Sequence, residues 1–242
     1  MAEDEKLPIM GHLRELRKRI MRMAIAVVIT TAISFIFVER FFEILKSRAD
    51  NVDLIYVEMT EMFSTYFTVA LYSGFALATP VILYEIVMFI RPALTPREKK
   101  YLYSLLPGVL IAFAIGVVFA YYVLIPPATN FLLTFGNDIA TPQIRVGNYV
   151  SLVVRLIFLV GLCFELPVVI YFLAKIKVVT VKKLSRFRRY AFLGAFVIAA
   201  LATPTPDPFN QALVAVPLYL LYEVGILLAR VGGPRGSRVK SR

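Results

Sequence analysis

Long apolar stretches separated by short basic or polar segments dominate this chain. A helix that crosses a bilayer needs about 20 apolar residues. By this measure the sequence predicts six transmembrane helices: Met23–Phe42, Phe63–Ile90, Tyr101–Ile125, Tyr149–Ala174, Tyr190–Thr203 and Phe209–Leu228. The fifth stretch is short, so we interpret the fifth and sixth helices as a short pair that does not reach fully across the membrane.

The composition agrees with an all-α membrane protein. The 242 residues are 59% hydrophobic, which is typical of a polytopic membrane protein and not of a soluble domain. We predict one membrane domain over residues 1–230 and a disordered cytoplasmic tail over residues 231–242. The polar N-terminus lacks a signal-peptide pattern, so the first span is interpreted as a retained helix.

The basic residues alternate between the two sides of the predicted membrane. Of the 27 Lys and Arg residues, 22 fall in the N-terminal arm, the loops after spans two and four, and the C-terminal tail. Only 4 fall in the alternate loops, and Arg155 lies inside span four. The positive-inside rule therefore predicts that both termini of this multi-pass protein lie in the cytoplasm. We expect the membrane to be the plasma membrane. Orientation thus explains most of the net charge of +11, which disfavours nucleic-acid binding.

The sequence offers little catalytic or metal chemistry. It has no phosphate-binding G-x-x-x-x-G-K motif and no H-E-x-x-H motif. The single histidine, His12, precedes the first span, and the single cysteine, Cys163, lies within an apolar span. We therefore predict a protein that is not an enzyme and that has no metal site, no cofactor and no disulfide.

Glu165 is the strongest functional candidate. It lies deep in the fourth predicted span, where a carboxylate costs about 2.5–3.5 kcal/mol on insertion scales. Arg155 is ten residues away and on another face, so it cannot pair with Glu165 within the helix. We expect Glu165 to face a polar cavity, a groove or a partner. Glu85 and Glu223, near the inner ends of their spans, are interpreted as interfacial.

The segment HLRELRKRI, His12–Ile20, has an amphipathic pattern. Its apolar residues Leu13, Leu16 and Ile20 predict a helix that lies in the inner interface and runs into span one. Glu15 precedes Arg19 by four residues, which favours an intrahelical ion pair. The alternative is an exposed acid that accepts a guanidinium.

The short loop RPALTPREKK, Arg91–Lys100, contains a helix-start pattern. Thr95 and Pro96 are predicted to be the N-cap and the first helical residue of span three. Glu98 then falls at N3, the acidic position of a capping box. Since Glu98 is an acid in a basic loop, it is also a candidate ligand for a cationic peptide.

Prolines and polar residues mark other functional candidates. Asp207 followed by Pro208 predicts a helix cap before span six. Polar groups at the outer ends of spans five and six could bond a partner helix in lipid or simply be solvated. The polar groups are Thr203, Thr205, Asp207, Asn210 and Gln211, and the prolines expected to kink helices are Pro80, Pro107, Pro167 and Pro217.

The chain resembles the TatC family, the receptor subunits of twin-arginine protein translocases, over nearly its whole length. The resemblance rests on ordered segments that share their spacing with the family. They are HLRELRKRI, ATPVILYEIVMFIRPALTPREKK, FAYYVLIPPA, YVSLVVRLIFLVGLCFELPVVIYFLAK, RFRRYAFLGAFVIAALATPTPD and QALVAVPLYLLYEVGILLAR.

The resemblance implies six kinked helices in a concave, glove-like array. It also implies binding of Arg-Arg signal peptides at the cytoplasmic face and export of folded proteins driven by the proton-motive force. The implied partners are the single-span proteins TatA and TatB and further copies of the chain. The residues implied for the signal peptide are Glu15, Glu98, Arg17 and Phe89; Glu165 matches the family's membrane-buried glutamate, and Thr203, Gln211 and Asp207 match a partner-helix docking region.

Two departures from the family and two alternative functions remain. The first outer loop, RADNVDLIYVEMTEMFS, lacks the prolines common in the family, and the turn in TPTPDP is one residue longer than the pattern TPPD. A secondary transporter would use Glu165 for coupling, but we find no internal repeat of the kind many transporters show. A structural anchor would leave Glu165 and Glu98 unexplained.

Overall fold

The computed structural model describes residues 9–48, 54–134, 143–203 and 207–232. Two-residue strands, β1 (Leu54–Ile55) and β2 (Ile144–Arg145), pair in parallel. A 3-10 turn (Arg91–Ala93) and a π-helical segment (Ala120–Leu124) precede and follow the fourth helix. The α-helices of the described residues are α1 (Ile9–Ile36), α2 (Val38–Lys46), α3 (Glu61–Ile90), α4 (Pro96–Phe119), α5 (Ile125–Thr134), α6 (Val146–Phe164), α7 (Leu166–Lys175), α8 (Val181–Arg186), α9 (Arg188–Ala202) and α10 (Pro208–Gly232).

Five helical runs of the described residues are long and apolar enough to cross a membrane: Met10–Ile36, Glu61–Ile90, Pro96–Leu132, Val146–Lys175 and Pro208–Val231. The predicted fifth span is α9, which has only 15 residues and is short as expected. By contrast, α10 has 25 residues, so the shortness predicted for the sixth helix is not found. Beyond α10, residues 233–242 of the predicted tail lie outside the described part of the chain, as do residues 204–206 of the turn TPTPDP and residues 49–53 of the first outer loop.

The first predicted span begins earlier and ends earlier in the structure. Because α1 runs without interruption from Ile9 to Ile36, His12–Ile20 is its first part, which confirms that this segment is helical and runs into span one. The chain then breaks at Phe37 and continues as α2. Val38 and Leu45 of α2 are buried while Glu39, Arg40, Glu43 and Lys46 are exposed, so α2 packs one amphipathic face onto the core.

Small residues allow the helices to approach closely. At Gly74 of α3, an added Cβ would lie only 2.6 Å from the Cα of Thr31 in α1. The Thr30 hydroxyl donates to the Gly74 carbonyl at 2.8 Å across the same contact. At Gly116 of α4, a Cβ would lie 2.9 Å from the Cα of Gly161 in α6. Such small-residue crossings are typical of helix packing in membranes.

The two ends of the helix bundle differ in chemistry. We call the end that holds the starts of α1, α4 and α9 and the final turns of α3, α7 and α10 the basic end, because most Lys and Arg residues flank it. The opposite end holds α2, the β1–β2 pair and the start of α6. There Glu61 accepts hydrogen bonds from the backbone N–H groups of Val57 (3.0 Å) and Gly147 (3.1 Å), which joins the start of α3 to the start of α6.

Candidate functional site

At the basic end, the start of α1 packs against the last turn of α3. The His12 ring stacks on the Phe89 ring with centroids 4.6 Å apart and planes 28° apart. Arg17 lies on the same helical segment and is exposed. Phe89 and Arg17, both predicted signal-peptide residues, thus lie at this end, but Arg17 is on the face of α1 that points away from the His12–Phe89 contact.

A network of charged residues lies one turn deeper between the same helices. Arg19 donates from Nε to Glu15 Oε1 at 3.1 Å and from Nη1 to Glu85 Oε2 at 2.9 Å. Arg22 Nη1 lies 3.5 Å from the second oxygen of Glu85. The Glu15–Arg19 pair predicted from the sequence is confirmed, but Arg19 also bridges to α3. The Glu85 side chain is only 7% exposed, so this acid near the end of α3 is paired with arginines between the helices and is not solvated.

Glu98 lies in the first turn of α4 and serves as a helix cap. Its Oε2 atom accepts hydrogen bonds from the Thr95 backbone N–H at 2.9 Å and from the Thr95 hydroxyl at 2.8 Å. The predicted capping box, with Pro96 as the first helical residue, is confirmed. Both bonds reach the same oxygen, and among the described residues no hydrogen bond to Oε1 is found.

Aromatic contacts hold the start of α4 beside the end of α3. The Tyr103 hydroxyl donates to Met88 Sδ at 3.7 Å, and the Arg91 guanidinium lies 6.0 Å from the Tyr103 ring centroid. Met88 precedes Phe89 in the sequence. The end of α3 therefore contacts α1 through Glu85 and Phe89 and contacts α4 through Met88.

Glu165 lies away from this end, at a break within the fourth span. Because Pro167 has no N–H and its ring crowds the carbonyl four residues earlier, the helix cannot continue with regular bonds. Glu165 N–H instead donates to the Leu162 carbonyl at 3.1 Å, and α7 starts at the next residue. Glu165 is 9% exposed, and its buried Oε1 has no hydrogen-bond partner among the described residues.

The polar residues between α9 and α10 are bonded within the fold. The Thr203 hydroxyl donates to the Ala199 carbonyl at 3.0 Å, and the Gln211 amide donates to the Phe196 carbonyl at 3.1 Å. Asp207 accepts from the Asn210 backbone N–H at 2.7 Å, which confirms the predicted cap before Pro208. Thr205 lies outside the described residues.

Comparison with known proteins identifies the family. The sequence model described as Sec-independent protein translocase protein (TatC) matches residues 11–217. The chain belongs to the TatC family.

Relatives and solved structures agree with this assignment along the chain. The TatC protein of Carboxydothermus hydrogenoformans is 40% identical over 235 residues, which are 96% of this chain and 97% of that protein. The TatC protein of Aquifex aeolicus is 41% identical over 231 residues, 93% of this chain and 95% of that protein. A crystal structure of the twin-arginine translocase receptor TatC superposes with a TM-score of 0.84 at 40% identity and covers 91% of this chain and 99% of that chain.

Sequence reasoning missed the role of Glu85 in this TatC structure. Glu85 lies near the end of an apolar span, which is the usual place for a solvated acid. Its burial depends on the approach of Arg19 from a helix 66 positions earlier in the sequence. The sequence did contain one signal, since Arg19 and Arg22 are three residues apart and so share a helical face.

Proposed function

We propose that this chain is the receptor subunit of a twin-arginine translocase. In this proposal it binds Arg-Arg signal peptides at the basic end and exports folded proteins across the plasma membrane with TatA- and TatB-type partners, driven by the proton-motive force. It acts by binding and scaffolding, without catalysis, and self-associates in the complex. Besides membership of the TatC family, the supporting observation is that two carboxylates lie at the basic end: Glu15, which shares Arg19 with Glu85 of α3, and Glu98, in the first turn of α4.

Glu98 suits a guanidinium ligand. Its capping bonds use only Oε2, which leaves Oε1 as an acceptor for a charge-assisted hydrogen bond. An arginine fork is a better match than a lysine ammonium for a carboxylate held in one orientation. The capping box thus fixes the direction of the carboxylate that we propose as the ligand.

Glu15 already accepts a guanidinium, that of Arg19. Its side chain is 24% exposed, so a peptide arginine can approach from solvent and share or replace the Arg19 contact. Because Glu85 holds Arg19 from the other side, Arg19 keeps one partner when Glu15 turns to the peptide. We assign supporting roles in peptide contact to Arg17 and Phe89, which lie at the same end of the bundle.

The orientation of the protein follows from its charge. The positive-inside rule places the basic end, with both termini, in the cytoplasm. This is also the side on which a signal peptide would arrive before export. The end that carries Thr203, Asp207 and Gln211 then faces outward and is proposed to dock a partner helix.

Glu165 is proposed to hydrogen-bond a polar group of a partner helix or signal peptide within the membrane. The supporting observation is its buried Oε1, which lacks a partner among the described residues. A buried acceptor without a hydrogen bond costs about 1–3 kcal/mol, so a bond from a second molecule would be favourable there.

The test is binding of an Arg-Arg signal peptide and its Lys-Lys counterpart to the purified protein in nanodiscs. We expect selective Arg-Arg binding that falls about tenfold in Glu98→Gln and in Glu15→Gln, because a charge-assisted bond is lost. Glu43→Gln, an exposed acid of α2 at the opposite end, should bind like the unaltered protein. Equal binding of both peptides, or Arg-Arg binding that neither substitution weakens, would contradict the receptor proposal.

A further inference from the structure

We propose that an apolar groove in the half of the molecule nearer the opposite end binds one acyl chain of a phospholipid, whose phosphate rests on Arg48. The groove, here called the α2–α6 groove, is walled by α2, α3, the α4–π segment and α6. Its volume is about 300 Å³, at the lower limit of small-molecule sites in proteins.

The α2–α6 groove opens on the outer surface of the bundle. Ile44, Leu77 and Val118 line it and are 52%, 51% and 55% exposed. Apart from Ser73, every described lining side chain is aliphatic or aromatic. Since this surface belongs to membrane-spanning helices, water is a poor occupant, whereas a hydrocarbon chain fills the groove without losing hydrogen bonds.

The groove also runs in the direction of a lipid chain. Its lining residues on α3 extend from Tyr72 to Leu77, about 16–24 Å from the start of that helix. Those on α2 and the π segment, such as Ile44 and Tyr122, lie nearer the opposite end. The groove therefore leads from the interface toward the middle of the membrane.

Arg48 supplies a charge at the shallow end of the groove. Its guanidinium carbon lies 4.5 Å from the Tyr121 ring centroid and 4.6 Å from that of Tyr122, and both tyrosines line the groove. The Nε atom is buried and lacks a hydrogen-bond partner among the described residues, and no described carboxylate forms an ion pair with Arg48. A guanidinium that contacts aromatic rings keeps its positive charge, so it can pair with an anionic phosphate.

These two features together favour a phospholipid over an apolar helix of a partner protein. A lipid carries an anionic phosphate and a long hydrocarbon chain in one molecule, which matches a cation beside an apolar groove. Aromatic residues such as Tyr121 and Tyr122 are enriched where lipid headgroups meet acyl chains. A partner helix would fill the groove but would not supply an anion to Arg48, which has no carboxylate partner among the described residues, unless it also brought an acid.

The experiment uses phosphatidylglycerol with a spin label on its acyl chain and a diacylglycerol with the same labelled chain but no phosphate. Each probe is added to the full chain in vesicles, and electron paramagnetic resonance measures the motionally restricted fraction. We expect the protein to prefer phosphatidylglycerol about fivefold, the contribution of one basic residue at a lipid surface. Arg48→Gln should abolish the preference, while Arg40→Gln, an exposed arginine of α2, should keep it.

A second variant tests the groove itself. Ala76→Leu adds bulk to the lining and should lower the restricted fraction of both probes, whereas Ala114→Leu at an exposed position of α4 should not. A preference that survives Arg48→Gln, or a restricted fraction that Ala76→Leu leaves unchanged, would overturn the proposal. If Ala76→Leu instead abolished crosslinking to a single-span partner and left both lipids unaffected, the occupant would be a helix.

Discussion

Arg19 and Glu85 join α1 to α3 through a hydrogen bond of 2.9 Å between Nη1 and Oε2. The two side chains are 13% and 7% exposed, so both charges are largely removed from water. The remaining oxygen of Glu85 has Arg22 at 3.5 Å, a longer and more exposed contact. The stability of the α1–α3 pair therefore depends on keeping these charges matched.

Arg19→Gln should destabilise the protein by about 3 kcal/mol, because it leaves the buried Glu85 carboxylate with only the more distant Arg22. Thermal unfolding of the purified protein in detergent measures this change. Arg14→Gln, an exposed arginine of the same helix, should melt at the unaltered temperature. Two variants with identical melting temperatures would show that the buried pair contributes nothing to stability.

The two roles of Glu98, cap and proposed ligand, can be separated by substitution. Thr95→Ala removes the hydroxyl bond to Glu98 and should cost about 1 kcal/mol of stability, while the carboxylate and its charge remain. Glutamine can replace glutamate in a capping box, so Glu98→Gln should be nearly neutral for stability but should weaken Arg-Arg peptide binding. Melting and peptide titration on both variants provide the comparison. If Thr95→Ala reduced peptide binding as much as Glu98→Gln, the orientation of the Glu98 carboxylate, and not its charge, would determine the affinity for the peptide.

Gly74→Ala should destabilise the contact between α1 and α3. The added Cβ would lie 2.6 Å from the Cα of Thr31, so a backbone must move, at a cost of about 1–3 kcal/mol. Gly108→Ala is the matched control, because nothing lies within 4 Å of a Cβ at that position. That control should melt at the same or a higher temperature, since alanine favours a helix. Equal melting of the two variants would mean that α1 and α3 separate readily at Gly74.

Glu165→Leu should affect stability and export in opposite directions. Leucine removes a buried carboxyl whose Oε1 has no partner among the described residues, so the isolated protein should be equally or more stable. Export and crosslinking to partner helices should fall, because the proposed intermolecular hydrogen bond is lost. Glu165→Gln keeps a polar side chain of the same shape and should retain more activity than leucine. Full export by Glu165→Leu would rule out a function for this side chain.

The features that the sequence predicted correctly are local in the chain. The Glu15–Arg19 pair, the Thr95–Glu98 capping box and the Asp207 cap each join residues three or four positions apart. Helix geometry alone fixes such distances, so a spacing in the sequence is sufficient. The spans were likewise predicted from continuous apolar stretches, which do not depend on contacts with other parts of the chain.

The features that the sequence did not predict depend on contacts between distant segments. Glu85 was interpreted as interfacial from its place near the inner end of a span, and nothing nearby in the sequence shows that Arg19 reaches it. The length of α10, which is greater than predicted, also accompanies contacts between distant segments. Ile226 and Ala229 are fully buried in a core cluster with Ile170 and Leu184, and this packing accompanies a helix that continues past the basic residue Arg230. Contacts of this kind become visible only in three dimensions.

The bond between Glu61 and Gly147 has a consequence for the order in which the protein assembles. The two residues are 86 positions apart, and the strands beside them pair in parallel, so neither contact can form until the chain has been synthesised as far as the start of α6. During synthesis, Glu61 Oε1 at the start of α3 therefore lacks its Gly147 N–H donor while α3, α4 and α5 enter the membrane. Contacts that close such long segments are the slow steps of folding. Exchange of the Gly147 amide would therefore report when the N-terminal and C-terminal halves have joined.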